Sequence, residues 1–197
     1  MAGKKVLIVY AHQEPGSFSG SLKDVAVAEL SRQGCRVTVS DLYAMDFEPR
    51  ATRKDITGAL SNPGFFSYGM EAYEAYRKKA LSSDIVEEQK KLQEADLVIF
   101  QFPLYWCSVP AILKGWMDRV LCQGFAFDLP GFFDDGFLKH GTLHFCGFRV
   151  LAPQISFGPE CASEEERRGM VAAWAQRLNS IWEEEPIDCS PPWYFGR

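Results

Sequence analysis

Three sets of residues in this 197-residue chain have types and spacings that could do chemistry. The first is His12 and the stretch Gln13-Glu-Pro-Gly-Ser-Phe-Ser-Gly-Ser21. Ser17, Ser19, Gly20 and Ser21 can present hydroxyls and backbone N–H groups ahead of a helix, whose dipole favours anions. Gly16 and Gly20 permit close backbone approach, and His12 at a strand end could donate to a phosphate oxygen. The chemistry would be phosphate binding; the same residues also make an ordinary capped helix after a polar turn. The second set is Pro103-Leu-Tyr-Trp-Cys-Ser-Val-Pro110. Large aromatics at a strand's end suit a planar ligand whose polar edge meets backbone amides, though they could equally cap a core. Together the two segments argue for a flavin dinucleotide. The third set is His140 and His144, at i and i+4, which one helix face could present to a shared metal, with Cys189 as a third ligand. The bland alternative is a pair of solvated or hydrogen-bonded imidazoles.

The elements that must position these groups alternate. Lys5-Val-Leu-Ile-Val-Tyr-Ala-His12 is continuously apolar and reads as a strand covered on both faces. A helix is expected from about Ser21 to Gln33, with Leu22, Val25, Ala26 and Leu30 on one face and Gly34 as its stop. Arg36-Val-Thr-Val-Ser40 alternates as a second strand, which completes a right-handed βαβ unit. Asp41 to Thr57 is expected to be an irregular excursion, and Pro63-Gly-Phe-Phe-Ser-Tyr68 an aromatic loop. Glu71 to Ala80 and Ser83 to Ala95 read as helices, Leu97 to Phe102 as the third strand, and Pro110 to about Cys122 as another helix. A last strand is expected within Phe148 to Phe157. The final helix opens on the capping box Ser163-Glu-Glu-Glu166, with Met170, Val171, Trp174, Leu178 and Ile181 as its buried stripe.

This alternation predicts one α/β domain over residues 1–197, a doubly wound flavodoxin-like parallel sheet. Such a sheet takes five strands in the order 2-1-3-4-5, and only four are legible. The stretch Gly124-Phe-Ala-Phe-Asp-Leu-Pro-Gly-Phe-Phe-Asp-Asp-Gly136 is loop, and it passes directly to Lys139 and His140. The expected fourth strand is missing. The net charge of -5, with no long lysine or arginine block, argues against nucleic acid or a polybasic membrane surface. The first apolar run is too short to cross a bilayer. With no secretion signal expected, the six scattered cysteines should be reduced thiols, and the cytoplasm is the expected compartment.

Five stretches carry a family resemblance: Val6-Leu-Ile-Val-Tyr-Ala-His-Gln-Glu-Pro15, Phe47-Glu-Pro-Arg-Ala-Thr52, Ala95-Asp-Leu-Val-Ile-Phe-Gln-Phe-Pro-Leu-Tyr-Trp106, Ile112-Leu-Lys-Gly-Trp-Met-Asp-Arg-Val120 and His140-Gly-Thr-Leu-His-Phe-Cys-Gly-Phe148. They resemble the mammalian NAD(P)H:quinone oxidoreductases along almost the whole chain. The resemblance implies FAD-dependent two-electron reduction of quinones, a dihydronicotinamide donor and a homodimer whose active sites use both chains. It assigns His12, Phe18, Ser19, Gly20 and Ser21 to the FAD pyrophosphate and adenosine, Leu104, Tyr105, Trp106 and Cys107 to the isoalloxazine, and Glu160 and Arg167 to the remaining FAD contacts. Cys107 stands where a phenylalanine is expected. Phe127, Asp128, Leu129 and Phe145 match substrate contacts, and His140, His144 and Cys189 match a set that holds zinc, in a structural role.

The missing strand is also a departure from the family. Between Leu138 and His140 the relatives are expected to carry one further βα unit of roughly 30 residues. With it would go a Thr-Thr-Gly-Gly loop against the isoalloxazine and an active-site tyrosine, so no residue here inherits a catalytic role. Two alternatives follow: an inactive shortened variant that only binds or pairs, and a flavodoxin-type FMN electron carrier.

Overall fold

The computed structural model describes residues 3–127 and 141–187. Strand β1 (Lys5–Tyr10) leads through helix α1 (Phe18–Arg32) to β2 (Arg36–Asp41). A 3-10 turn at Arg53–Asp55 precedes α2 (Tyr68–Lys78) and α3 (Ser83–Glu94). Then come β3 (Leu97–Gln101), α4 (Ala111–Val120), the short α5 (Gly141–Phe145) and α6 (Glu164–Ser180). The strands form one parallel sheet in the order β2-β1-β3, with Ile8 level with Val39 on one side and Ile99 on the other.

The continuous apolar run of β1 makes sense only in a sheet covered twice. Val6, Ile8 and Tyr10 join Ala26 and Leu30 of α1 and Trp174 and Leu178 of α6. Leu7, Val9 and Ala11 point the other way, to Leu113, Trp116 and Val120 of α4. This is the period-two alternation of a pleated strand, with helices on both faces, and the doubly wound expectation holds. The serine and glutamate of the Ser163–Glu166 capping box each bond the other's backbone N–H, at 3.2 and 2.7 Å. Gly34 ends α1 at φ +82°.

Two buried polar networks tie the helices to the sheet. Glu88 of α3 is wholly buried; its carboxylate accepts from Ser40 Oγ (3.0 Å), Lys91 Nζ (2.5 Å) and Trp116 Nε1 (2.8 Å). Arg119 of α4 grips Asp55 with two bonds of 3.1 and 3.0 Å and donates to the Glu48 carbonyl at 2.7 Å. Tyr68 donates to the same Asp55 carboxylate at 2.8 Å, and Asp84 pairs with Arg119 at 2.7 Å. Gly115 lies one turn before Arg119, where a Cβ would stand 2.2 Å from the Pro49 carbonyl oxygen. Helix α4 and the 47–55 excursion are therefore in backbone contact.

The loop between this excursion and α2 carries a pH-sensitive tether. The buried Glu71 carboxylate accepts from Ser61 N, Ser61 Oγ and Asn62 N, each at 2.8 Å. Those bonds, the Ser61 amide first, hold its pKa below the usual carboxylate value. A depressed folded pKa gives stability that is complete above the unfolded value of about 4.3 and lost as pH falls through the folded one. The 58–67 loop is therefore expected to loosen first below about pH 4. Amide exchange of Ser61 and Asn62 against pH checks this, and Glu71→Gln should loosen the loop at neutral pH.

Two expectations need correcting. Residues 148–157 form no strand. Phe148 packs edge-on against Phe100 (6.5 Å between centroids) on the α4 side, whereas Leu151 joins the cluster on the α1/α6 side. The segment thus reaches both faces of the sheet beside β3 without laddering. The physical reason is the missing neighbour: a fifth strand pairs with a fourth, and β3 has no partner on its outer edge among the described residues. Every residue of β3 is accordingly part-exposed, unlike sealed β1. The second correction is at two helix starts: α1 begins at Phe18 rather than Ser21, and α2 at Tyr68 rather than Glu71.

Candidate functional site

In an open parallel sheet, strand carboxyl ends meet helix amino ends along one edge, and both loops singled out from the sequence lie there. After β1, His12 Nδ1 accepts the Glu14 N–H at 3.0 Å, so a neutral His12 carries its proton on Nε2, free to donate. Glu14 in turn accepts the Gly16 N–H at 2.9 Å. Ser17 is the true helix cap, its Oγ taking the Gly20 N–H at 3.1 Å. Phe18, Ser19, Gly20 and Ser21 therefore form the first turn of α1 rather than a preceding loop. The first amides of the helix, with its dipole behind them, are aimed at this edge. Gly20 serves packing more than ligand approach: a Cβ there would stand 2.0 Å from the Pro15 carbonyl oxygen.

After β3, the chain makes a tight reversal. Tyr105 and Ser108 exchange both backbone bonds at 3.0 Å, and the two residues between them have φ of +50° (Trp106) and +57° (Cys107). This is the pattern of a type I′ turn, ordinarily built from Asn and Gly. Two bulky residues in the left-handed region cost about 1–2 kcal/mol each. Trp106 also stands 100 % exposed, and Leu104, Tyr105 and Cys107 are exposed beside it. Strain and exposed aromatics at one strand end make this turn a candidate ligand contact. The two loops touch directly, through the Gln13 amide and the Tyr105 hydroxyl at 3.1 Å. Tyr43, just beyond β2, is raised in pKa by burial and then by the nearby Tyr105. Residues following β1 and β3 thus meet at Tyr105.

A cleft of about 470 Å³ continues from this edge between α1 and α6, lined by Phe18, Ser21, Val25, Arg167 and Val171 among others. The Arg167 guanidinium donates to the Pro159 and Ala162 carbonyls and so pins the 158–162 turn that carries exposed Glu160. The structure brings Phe18, Ser21 and Arg167 together along this cleft. It also brings Phe127 and Phe145 together, ring centroids 5.0 Å apart. Asp128, Leu129, His140 and Cys189 lie outside the described residues. His144 sits on the short α5. Among the described residues no cluster of three His, Cys, Asp or Glu side chains could hold a metal.

Sequence reasoning missed Gln13 and Gln101. Gln101 Nε2 donates to the Ser19 carbonyl, tying the end of β3 to α1, while its Oε1 is buried and has no partner. The signal was one polar residue closing an otherwise apolar strand. At the anion end the donors that suit a phosphate are His12 Nε2 and the first amides of α1. Among the described residues the ring end offers the Leu104–Cys107 turn.

A model of the flavodoxin-like fold family matches residues 4–141. The chain is 68 % identical over 229 aligned positions to the ribosyldihydronicotinamide dehydrogenase [quinone] of Rattus norvegicus, covering 99 % of each. It is 66 % identical to that of Homo sapiens over 231 positions, covering all of both. A solved structure described as a candidate quinone reductase from Klebsiella pneumoniae superposes with a TM-score of 0.83 at 32 % identity, over 94 % of this chain and 87 % of that one. The alignment to the human relative has 231 positions for 197 residues here, so 34 of them have no counterpart in this chain. That is the size of one βα unit. Among the described residues no helix is long and apolar enough to cross a membrane.

Proposed function

The chain belongs to the flavodoxin-like fold family and, within it, to the quinone reductases; from that premise we propose that it binds FAD and reduces quinones by two electrons from a dihydronicotinamide donor, at a rate lowered by its shortened cradle. The observation that carries this reading is the contact between the anion loop and the aromatic turn at one sheet edge. FAD, when bound, supplies the hydride chemistry. The residues of the chain do the holding. His12 Nε2 and the first amides of α1 would meet the pyrophosphate, while Phe18, Ser21, Glu160 and Arg167 would take the adenosine half. The cleft beside Arg167 favours FAD over FMN, since FMN has no adenosine to fill it. Leu104, Tyr105, Trp106 and Cys107 would cover one face of the ring, and Phe127, Asp128, Leu129 and Phe145 would shape the slot for a flat quinone. No residue here substitutes for the loop and tyrosine of the absent unit.

Chromatography of the flavin released from purified protein, with menadione turnover, tests this. FAD should be recovered at well under one per chain, and turnover should be slight. FMN in its place, or a protein that stays colourless in excess FAD, overturns the cofactor reading; full occupancy with ordinary turnover overturns the lowered activity. An inert chain that still pairs would be the binding-only variant. A homodimer and a cytoplasmic location belong to the same proposal. Zinc at His140, His144 and Cys189 rests on the resemblance alone, and metal analysis of the purified chain decides it.

A further inference from the structure

The contact between Gln13 and Tyr105 has a consequence for how the two ends of the ligand are gripped. Gln13 follows β1 and Tyr105 follows β3, and their side chains meet at 3.1 Å, the amide both donating to the hydroxyl and accepting from it. Tyr105 is the first residue of the strained reversal, held on its other side by the two backbone bonds to Ser108. Residues kept in a sparsely populated conformation need surroundings that over-determine it. Between the two backbone bonds and buried Pro110, the Tyr105 side chain makes one further polar tie, and that tie runs to the anion loop. The same loop is fixed internally by the His12–Glu14 and Glu14–Gly16 bonds.

We propose that Gln13 is a positioning residue: through Tyr105 it locks the Trp106–Cys107 turn to the anion loop, so that the ring end and the phosphate end of the site are held as one unit. This rests on the flavin reading above for its purpose, but not for its geometry. Gln13 touches no reacting atom; it acts on the ring through the backbone of the turn. Its loss should free the turn and leave the anion loop intact, because the His12, Glu14 and Ser17 bonds do not pass through it.

The test uses Gln13→Ala, Tyr105→Phe and the double variant of the full chain. Without any flavin, chymotryptic cleavage after Leu104, Tyr105 or Trp106, followed by fragment mass, should accelerate about three- to tenfold, the worth of one hydrogen bond. The double variant should match either single one, since both remove the same tie. Gln13→Glu keeps an acceptor for the Tyr105 hydroxyl and should restore the slow cleavage, but not in a Tyr105→Phe background. On the ligand side, riboflavin and FAD should both bind about three- to tenfold more weakly to Gln13→Ala, with ADP binding unchanged. Unchanged cleavage in the single variants, additive effects in the double, or an equal loss for ADP would each overturn the proposal. A wild-type chain that binds no flavin would instead sink the cofactor reading, while the cleavage series still decides the tie.

Discussion

Inserting the 34 absent positions from the Homo sapiens relative between Leu138 and Lys139 should raise the melting temperature and bring flavin to one per chain. The outer edge of β3 presents backbone N–H and C=O groups that no described residue pairs. A buried unpaired group costs about 1–3 kcal/mol. Those of β3 are part-wetted, so the lower figure applies, and three regained ladder bonds give about 3 kcal/mol. For a chain of this size that is about 6–12 °C. It is also a large share of a typical net stability of about 5–15 kcal/mol. A new central strand would give residues 148–157 a partner and let them ladder. Scanning calorimetry and flavin absorbance read the two effects. A melting temperature that does not move would show that the chain has already satisfied that edge by other means.

Replacing Arg119 by methionine should cost about 3–5 kcal/mol, read as a shift of the urea midpoint with unchanged slope. The Asp55 carboxylate is 2 % exposed and takes two bonds from this guanidinium. Without it, a buried charge keeps the Tyr68 hydroxyl, whose own pKa burial and Asp55 push far up, and the Thr52 N–H at 3.4 Å. Asp84 adds little to the cost, because its side chain is 40 % exposed and well screened. The double change Arg119→Met with Asp55→Asn removes both charges and should recover most of the loss. If the single change costs no more than the double, the pair is not what holds the excursion to α4. Since α4 begins directly after the strained turn, this network also fixes the aromatic half of the site from behind.

Much of this was legible because burial leaves a periodic trace. The runs Lys5–His12 and Leu97–Phe102 could only be strands covered twice, and the Ser163–Glu166 box named the start of α6 to the residue. The start of α1 was misplaced because serines and glycine read as turn, whereas Gly20 is demanded by the Pro15 carbonyl one turn away in space. Arg119, Glu88 and Asp55 were invisible as core residues, since a charge is buried only when partners distant in sequence complete it. The left-handed Trp106–Cys107 reversal was hidden too: nothing in those two side chains favours it, and the Tyr105–Ser108 bonds impose it. The strand expected within 148–157 failed for a related reason. Laddering is a property of two segments, and one of the two is not in this chain.

The uneven sealing of the sheet also sets where the molecule breathes. Local opening starts where backbone bonds face water and apolar cover is thin, so deuterium should enter β3 well before β1. The aromatic reversal hangs from the carboxyl end of that least protected strand, whereas the anion loop hangs from the most protected one. A dinucleotide lying across them would have one end moored to the still centre of the protein and the other to its restless margin. The Gln13–Tyr105 tie spans that difference, and without it the ring would part before the phosphates.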